Sequence, residues 1–294
     1  MAKNLPAKPQ TVKDKREDIK ALLLSKQDEI AKVVPRHLTA DRLINIFLLA
    51  TSRQPALLEC TQFSLVNAFL QSVELGLPLG NVTAMAWIIP FRNSKTGKRE
   101  AQFIPSYRGL ADLARRSGEV TNIYAEVVYE NDQFDYTTGS FPKIVHKPVI
   151  VGERGEPIAV YAVAHIKHAE YPQCVVLTIE DVEKVKASSK AKSSGPWVDW
   201  WEEMAKKTAI KRISKTLPLN SDYAYALEID NAVETGQPLP PSKSTLNLMQ
   251  NADGSLQPEE EEDWGDRITN ELDDTELSGE EQELPLSDEN GNFN

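Results

Sequence analysis

The chain is poor in the residues that build metal and redox chemistry. Among 294 residues it has two cysteines, Cys60 and Cys174, and four histidines, His37, His146, His165 and His168. None falls into the paired spacings that hold zinc. Two isolated thiols suit a reducing compartment, so a cytoplasmic protein is expected. Long apolar runs are missing as well. The longest, around Leu43 to Ala50, is far too short to span a bilayer. The N-terminal MAKNLPAKPQTVKDKRED lacks the apolar stretch of a secretory signal, and no membrane partner is expected.

Motifs for covalent or nucleotide chemistry are also absent. A phosphate-binding GxxxxGKS/T loop would need glycine at Arg92 and Ser or Thr at Arg99, the positions flanking SKTGK, so a P-loop ATPase is ruled against. Glu126, Glu130, Asp132 and Asp135 lie close enough in sequence to raise a metal-dependent nuclease. No Asp/Glu-x-Lys at the end of a convincing strand completes such a site, and acids at a turn are the simpler reading. His165 and His168 sit three apart near a strand end, where they face opposite sides. No catalytic residue, metal site or required cofactor is expected, and the chain reads as a binding protein rather than an enzyme.

What the chain does have is charge, unevenly placed. The whole carries 44 acidic and 33 basic residues, a net charge of −11. Residues 251–294 hold 16 of the acids and one of the bases, which leaves 28 acids and 32 bases in the rest. A mildly basic body with a strongly acidic tail is a pattern of nucleic-acid binding proteins. The tail either solubilises the protein or imitates the charge of DNA, competing for the same surface or docking a partner.

Apolar periodicity divides the chain into a flexible N-terminus at 1–15, a folded body at 16–236 and an acidic linker and tail at 237–294. The tail lacks the apolar content to offset ordering entropy, so disorder is expected there. Helices are expected from Asp18 to Val34, ended by Pro35, and after an N-cap at Thr39, with Leu43, Ile46, Phe47 and Ala50 on one face. A third runs from Phe63 to Leu75 and stops at Gly76. AMAWIIPF and REAQFIP read as a β-hairpin around a turn-rich tip, followed by a short helix in SYRGLADLARRSG. Val120 to Val151, IAVYAVAHI and QCVVLTI supply further strands. Thr178 to Asp181 resembles a capping box opening a helix, and a last helix follows Ser221. Strands and helices are segregated, which predicts an α+β fold.

The segment SSGPWVDWWEEMAKKTAIKRISKTLP combines three tryptophans with a run of cations. On a helical wheel Trp197, Trp201, Met204 and Thr208 share a stripe that continues into Lys211 and Lys215, with Trp200 at its edge. Ile210, Ile213 and Leu217 form an apolar patch on the other side. Glu202–Lys206 and Glu203–Lys207 have the favourable i, i+4 order and could simply solvate the helix. That does not account for Lys211, Arg212 and Lys215, which have no acid within one turn. A second basic segment spans residues 84–118, where seven cations outnumber two acids. Two clusters interleaved with Phe91, Phe103, Tyr107 and Trp197 suit a groove in which cations take phosphates and rings take bases.

The segments AQFIPSYRGLADLARRSGEV, GPWVDWWEEMAKKTAIKRISKTLP and VYAVA, with VPRHLTADR upstream, resemble the RecT family of phage and prophage single-strand annealing proteins from about Pro35 to Pro218. The resemblance implies ATP-independent binding of single-stranded DNA and annealing of complementary strands in recombination, in a bacterial host's cytoplasm. It implies assembly into rings or filaments and work beside a 5′ exonuclease, and possibly a host single-strand binding protein, with magnesium at most a modulator. The fold it implies is a β-hairpin and antiparallel sheet packed with long helices around a basic groove. The groove residues it implies are Arg92, Lys98 and Arg99 on the hairpin, and Tyr107, Arg108, Arg115 and Arg116 on the helix after it. Lys206, Lys207, Lys211, Arg212 and Lys215 complete the set on the tryptophan helix, which the indoles would clamp into the body. On this reading charge reversal at Lys211 and Lys215 cuts DNA affinity without unfolding. The alternative is a module that binds and protects single strands without annealing them.

Overall fold

A computed structural model describes residues 12–80, 83–93, 96–190, 192–193, 195–236, 241–242 and 244–245. Four helices come first: α1 (Val12–Ser25), α2 (Gln27–Val33), α3 (Ala40–Arg53) and α4 (Gln62–Glu74). The single expected N-terminal helix is therefore two, parted at Lys26, and it begins at Val12, inside the stretch expected to be flexible. Thr39 caps α3 as expected, its Oγ1 accepting the Arg42 N–H at 3.4 Å. The buried stripe of α3 is Ala40, Leu43, Ile44, Phe47, Leu48 and Thr51, one residue round from the expected face.

The hairpin is β1 (Ala86–Arg92) and β2 (Arg99–Pro105), paired antiparallel with Ala86 opposite Pro105 and Arg92 opposite Arg99. It packs on α4. Next come α5 (Tyr107–Arg116), β3 (Val120–Tyr129), and a small hairpin of β4 (Gln133–Thr137) and β5 (Lys143–Lys147). Strands β6 (Pro157–Ile166) and β7 (Gln173–Thr178) complete an antiparallel three-stranded sheet in the order β3-β6-β7. α6 (Ile179–Ser188) opens with the expected capping box, since the Thr178 side chain accepts the Asp181 N–H and the Asp181 carboxylate accepts the Thr178 N–H. A short α7 (Pro196–Asp199), α8 (Trp201–Ser214) and α9 (Ser221–Thr235) follow. Asn220 caps the start of α9, and Gly236, at φ 65°, closes it in the left-handed conformation that favours glycine. The fold is α+β, as the segregated pattern predicts, and its sheets are antiparallel.

Alternation along β3 shows how the sheet is used. Ile123, Ala125 and Val127 point into the main core, against which α5 and α8 pack. On the opposite face Val128, Tyr161 and Val163 form a second, smaller core covered by Phe134 and Ile144 of the β4–β5 hairpin. The sheet is thus sandwiched between helices and a two-stranded flap. Among the described residues no helix is long and apolar enough to cross a membrane.

The tryptophan segment is not one helix. At Trp200 the backbone turns to φ −141°, ψ 50°, which separates α7 from α8. A continuous helix would have left Trp200 beside Trp197 and Trp201; the break swings it out to 66% exposure while Trp197 stays buried at 2%. Trp201 lies partly buried, its indole N–H donating to Glu183 Oε1 at 3.0 Å. Two of the three indoles therefore anchor the segment and one does not.

The expected tail at 251–294 and its disorder lie outside the described residues. Of the expected linker, Ser242, Ser244 and Thr245 are buried against α4. Asn67 Oδ1 accepts the Thr245 hydroxyl at 2.8 Å and the Ser242 N–H at 3.3 Å, and Glu74 accepts the Ser244 N–H at 3.2 Å.

Candidate nucleic-acid interface

The helix α5 is seated by its first residues. Ser106 Oγ accepts the Gly109 N–H at 3.2 Å, and its backbone N–H donates to Met85 O at 2.9 Å. A Cβ on Gly109 would stand 2.3 Å from that same Met85 oxygen, so only glycine lets the helix approach the entry to β1 this closely. The SYRG motif thereby fixes Tyr107 and Arg108 relative to the hairpin.

Tyr107 is where the two basic segments meet. Its ring has the Arg108 guanidinium 5.8 Å from its centroid and the Lys206 ammonium 5.9 Å away, within the range of cation–π attraction. Arg108 Nε also donates to the Tyr107 hydroxyl at 3.2 Å, which raises the Arg108 pKa further. Residues 99 positions apart in sequence are so brought to one spot. Acids border it: Lys206 Nζ is 3.4 Å from Glu126 of β3, and Glu202 accepts the Tyr129 hydroxyl. Burial, and then that hydrogen bond, push the Tyr129 phenol up to about 12. The expected i, i+4 pairs within α8 do not form; Lys206 and Lys207 both take acids from other elements.

The hairpin tip lies the length of β2 away, about 20 Å at 3.3 Å per residue. There Arg92 and Arg99 face each other directly across the ladder and line a recess of about 360 Å³ with Phe91 and Gly97. Like charges placed opposite destabilise a hairpin unless something anionic sits between them or beside them. Glu59 does this for Arg99. Arg92 is exposed and makes no ion pair with a described residue, and Lys98 is exposed at the turn. 

The remaining expected residues separate. Arg116 faces inward: it donates to the Leu75 and Gly76 carbonyls at 2.7 and 2.9 Å and pairs with Asp112 at 2.6 Å. It caps the end of α4, a structural duty. Arg116→Ala should cost about 1.5–3 kcal/mol, the worth of hydrogen bonds from a charged donor, with DNA affinity of the folded protein unchanged; chemical denaturation and a binding titration check both. Arg115 is exposed, with Asp112 at 3.9 Å.

Lys207 is a correction. It is 3% exposed and its ammonium is bonded to Asp230 of α9, itself fully buried. Lys211 joins the same cluster, 2.8 Å from Asp230 and 2.9 Å from Glu234. Neither presents a charge to a ligand, because the acids of α9, some twenty residues on in sequence, neutralise both. Arg212 and Lys215 are exposed at the C-terminal end of α8 and make no ion pair with a described residue. The cations of α8 thus leave in three directions: Lys206 toward α5, Lys207 and Lys211 toward α9, Arg212 and Lys215 toward solvent.

Two residues that bear on the surface were missed in sequence. Arg154 stacks over the Tyr129 ring at 4.1 Å and binds Asp132. Asp132 itself, read as a turn acid, is buried, accepting from His146 Nε2 at 3.1 Å and from the Tyr129 and Val149 N–H groups at 3.1 and 2.8 Å. Its carboxyl is held far below the usual range, chiefly by Arg154. Among the described residues no three His, Cys, Asp or Glu side chains gather as a metal site would need.

A family model described as the RecT family matches residues 41–238, from α3 through α9. Protein RecT of Escherichia coli (strain K12) is 42% identical over 210 residues, which cover 70% of this chain and 77% of that protein. The uncharacterized protein YqaK of Bacillus subtilis (strain 168) is 27% identical over 152 residues, 51% of this chain and 49% of its own length.

Proposed function

Because the chain belongs to the RecT family of single-strand annealing proteins, we propose that it binds single-stranded DNA and anneals complementary strands without ATP, as a ring or filament of many copies. The observation that carries this reading is the meeting of α5 and α8 at Tyr107, which sets Arg108 and Lys206 at 5.8 and 5.9 Å from the centre of one ring. Cations gathered at an aromatic ring are what a strand with alternating phosphates and bases requires. Arg92, Arg108, Lys206 and Lys215 contact phosphates, with Lys98, Arg99, Arg115 and Arg212 adding to the field. Lys207, Lys211 and Arg116 act only by holding the surface in place.

Annealing on such a surface needs no covalent step. Neutralising one backbone lowers the repulsion that a second strand meets, and pairing then releases about 1.4 kcal/mol of stacking per base-pair step. No nucleotide cofactor enters, and magnesium serves at most to modulate. A 5′ exonuclease supplies the single strands, and a host single-strand binding protein is a further candidate partner.

Phosphate contact makes binding insensitive to sequence and sensitive to salt. For single strands log K falls with log salt at about 0.7 per neutralised phosphate, so four cations give a slope near −3 per subunit and roughly a 50-fold loss between about 50 and 200 mM. Arg92→Ala, Arg108→Ala and Lys215→Ala together should flatten that slope by about 2. Fluorescence anisotropy across salt concentrations measures it; a slope near zero in the parent protein removes the phosphate-binding reading. A fluorescence assay with two complementary oligonucleotides separates annealing from mere protection of single strands.

A further inference from the structure

The loop from β5 to β6 carries two side chains that nothing in the subunit covers. Ile150 is 94% exposed and Val151 90%, the most exposed large apolar residues of the described chain. Their loop is braced at both ends by one buried carboxylate. Asp132 Oδ1 accepts the Val149 N–H at 2.8 Å on one side and Arg154 Nε at 3.1 Å on the other. The Asn131 N–H donates to Arg154 O and its side chain to Glu153 O, both at 3.0 Å, and the Glu130 N–H donates to Glu156 O at 3.0 Å. Gly152, at φ 105°, makes the tight turn that only glycine adopts readily. The loop is therefore an arch held out into water, with two β-branched side chains at its crown. Apolar area displayed on a braced support marks a contact surface.

A complementary surface lies at the other end of the same sheet. A cleft of about 630 Å³ opens between the β4–β5 turn, the β6–β7 loop and the last turn of α8. Pro172, Val175 and Ile213 line it, and Tyr171 closes one side. Phe141, 70% exposed, meets the Tyr171 ring edge to face at 5.3 Å. The arch leads into Pro157 and the cleft's β6–β7 wall follows Ile166, so β6 runs between the two, and β5 joins the cleft's Pro142 to the arch, which keeps Pro142 and Ile150 within about 29 Å of each other.

We propose that the Ile150–Val151 arch of one subunit inserts into this cleft on the next, making the chain its own partner. The idea rests on the oligomeric working state proposed above and names the contact that builds it. Surfaces at opposite ends of a subunit join head to tail rather than about a two-fold axis, and such a contact propagates until a ring closes or a filament grows. Charge selects this occupant over DNA. The cleft carries one cation and one acid, Arg212 and Glu170, a balance suited to a neutral apolar knob and not to a polyanion.

The test uses two full-length variants. Ile150→Asp with Val151→Asp removes the knob, and Phe141→Asp spoils the cleft; all three positions are largely exposed, so circular dichroism should be unchanged. Each variant alone should self-associate on the order of 100-fold more weakly in sedimentation velocity, as loss of a central apolar anchor requires. Mixed together, the knobless and cleft-spoiled chains keep one intact contact between them, and should pair and stop at two subunits. Undiminished assembly of the knobless variant overturns the proposal, as does failure of the mixture to pair. Normal assembly of Phe141→Asp with lost affinity for short oligothymidylate overturns it in favour of base binding in the cleft. A parent protein that stays monomeric at every concentration, with and without DNA, overturns the oligomeric reading as well, a result distinct from the others.

Discussion

Asp230→Ala should cost the protein about 3–5 kcal/mol, because it leaves Lys207 charged and buried with no counter-ion. The Lys207 ammonium and the Asp230 carboxylate are 3% and 0% exposed at residue level, and their attraction, together with Lys211, offsets the loss of hydration. Burial pushes the Asp230 carboxyl up, but the two ammonium groups outweigh it and hold it below its ordinary value. Burial likewise works against charge on Lys211, while Asp230 and Glu234 raise its pKa. The signs give a stability plateau bounded on both sides. A depressed carboxyl stabilises above its unfolded value and loses that contribution as pH falls through the folded one. A raised ammonium stabilises below its unfolded value and loses it as pH rises through the folded one. Urea midpoints across pH should show the parent protein flat between those limits and Asp230→Ala lower throughout. Replacing Lys207 by methionine and Asp230 by leucine together should recover most of the loss, since an apolar pair of similar volume removes both charges at once. An unfolding free energy for Asp230→Ala within about 1 kcal/mol of the parent would mean that Lys207 reaches water and is free to contact DNA.

The same geometry changes what a charge reversal measures. Lys211→Glu would place a third carboxylate beside Asp230 and Glu234, leaving Lys207 alone against three acids. The combined reversal of Lys211 and Lys215, expected from sequence to cut affinity and leave folding alone, therefore reads stability first. Lys215→Glu alone keeps the intended meaning, because Lys215 is exposed and caps the end of α8.

Local signals were legible where one residue type has one physical use. Thr39, Thr178 and Gly76 mark helix ends because a side-chain acceptor or a left-handed turn is needed there, and the structure uses them so. The hairpin and its following helix were legible because alternation and a turn-rich tip coincide. The break at Trp200 was not, since tryptophan is an ordinary helix residue and the turn is set by what Trp197 and Trp201 each bury against. The fates of the cations were least legible. Nothing local distinguishes Lys207 from Lys206, yet one step of 100° around the helix points one at α9 and the other at Tyr107. Asp230 falls at i+7 from Tyr223 and i+4 from Ala226, on the buried stripe of α9, and an acid on that stripe was the available signal that some cation must come to it.

Asp132→Ala should cost about 2–5 kcal/mol, because it leaves two backbone donors without an acceptor at about 1–3 kcal/mol each. The carboxylate side chain is 0% exposed and satisfies five donors from four residues: Arg154 twice, His146, and the Tyr129 and Val149 N–H groups. Alanine would strand the Tyr129 and Val149 N–H donors, leave the partly exposed Arg154 without its carboxylate, and open the small core that His146 and Tyr161 seal with Phe134. Asp132→Asn separates shape from charge. It keeps one acceptor for Val149 but weakens the Arg154 contact, so the loss should fall to about 1–3 kcal/mol. The acid limb then reports the charge itself. Because the folded carboxyl lies far below its unfolded value of 3.8, its contribution is complete above about pH 5 and is lost progressively as pH falls from there toward the folded value. The parent protein should lose stability steeply below that point, and Asp132→Asn should show a flatter limb. Asp132 also braces the arch at Ile150 and Val151, so the alanine variant should lose self-association at temperatures where circular dichroism still reports a folded chain. Retained assembly with a loosened arch would show that the crown docks without needing to be held, and would leave Asp132 a purely internal strut.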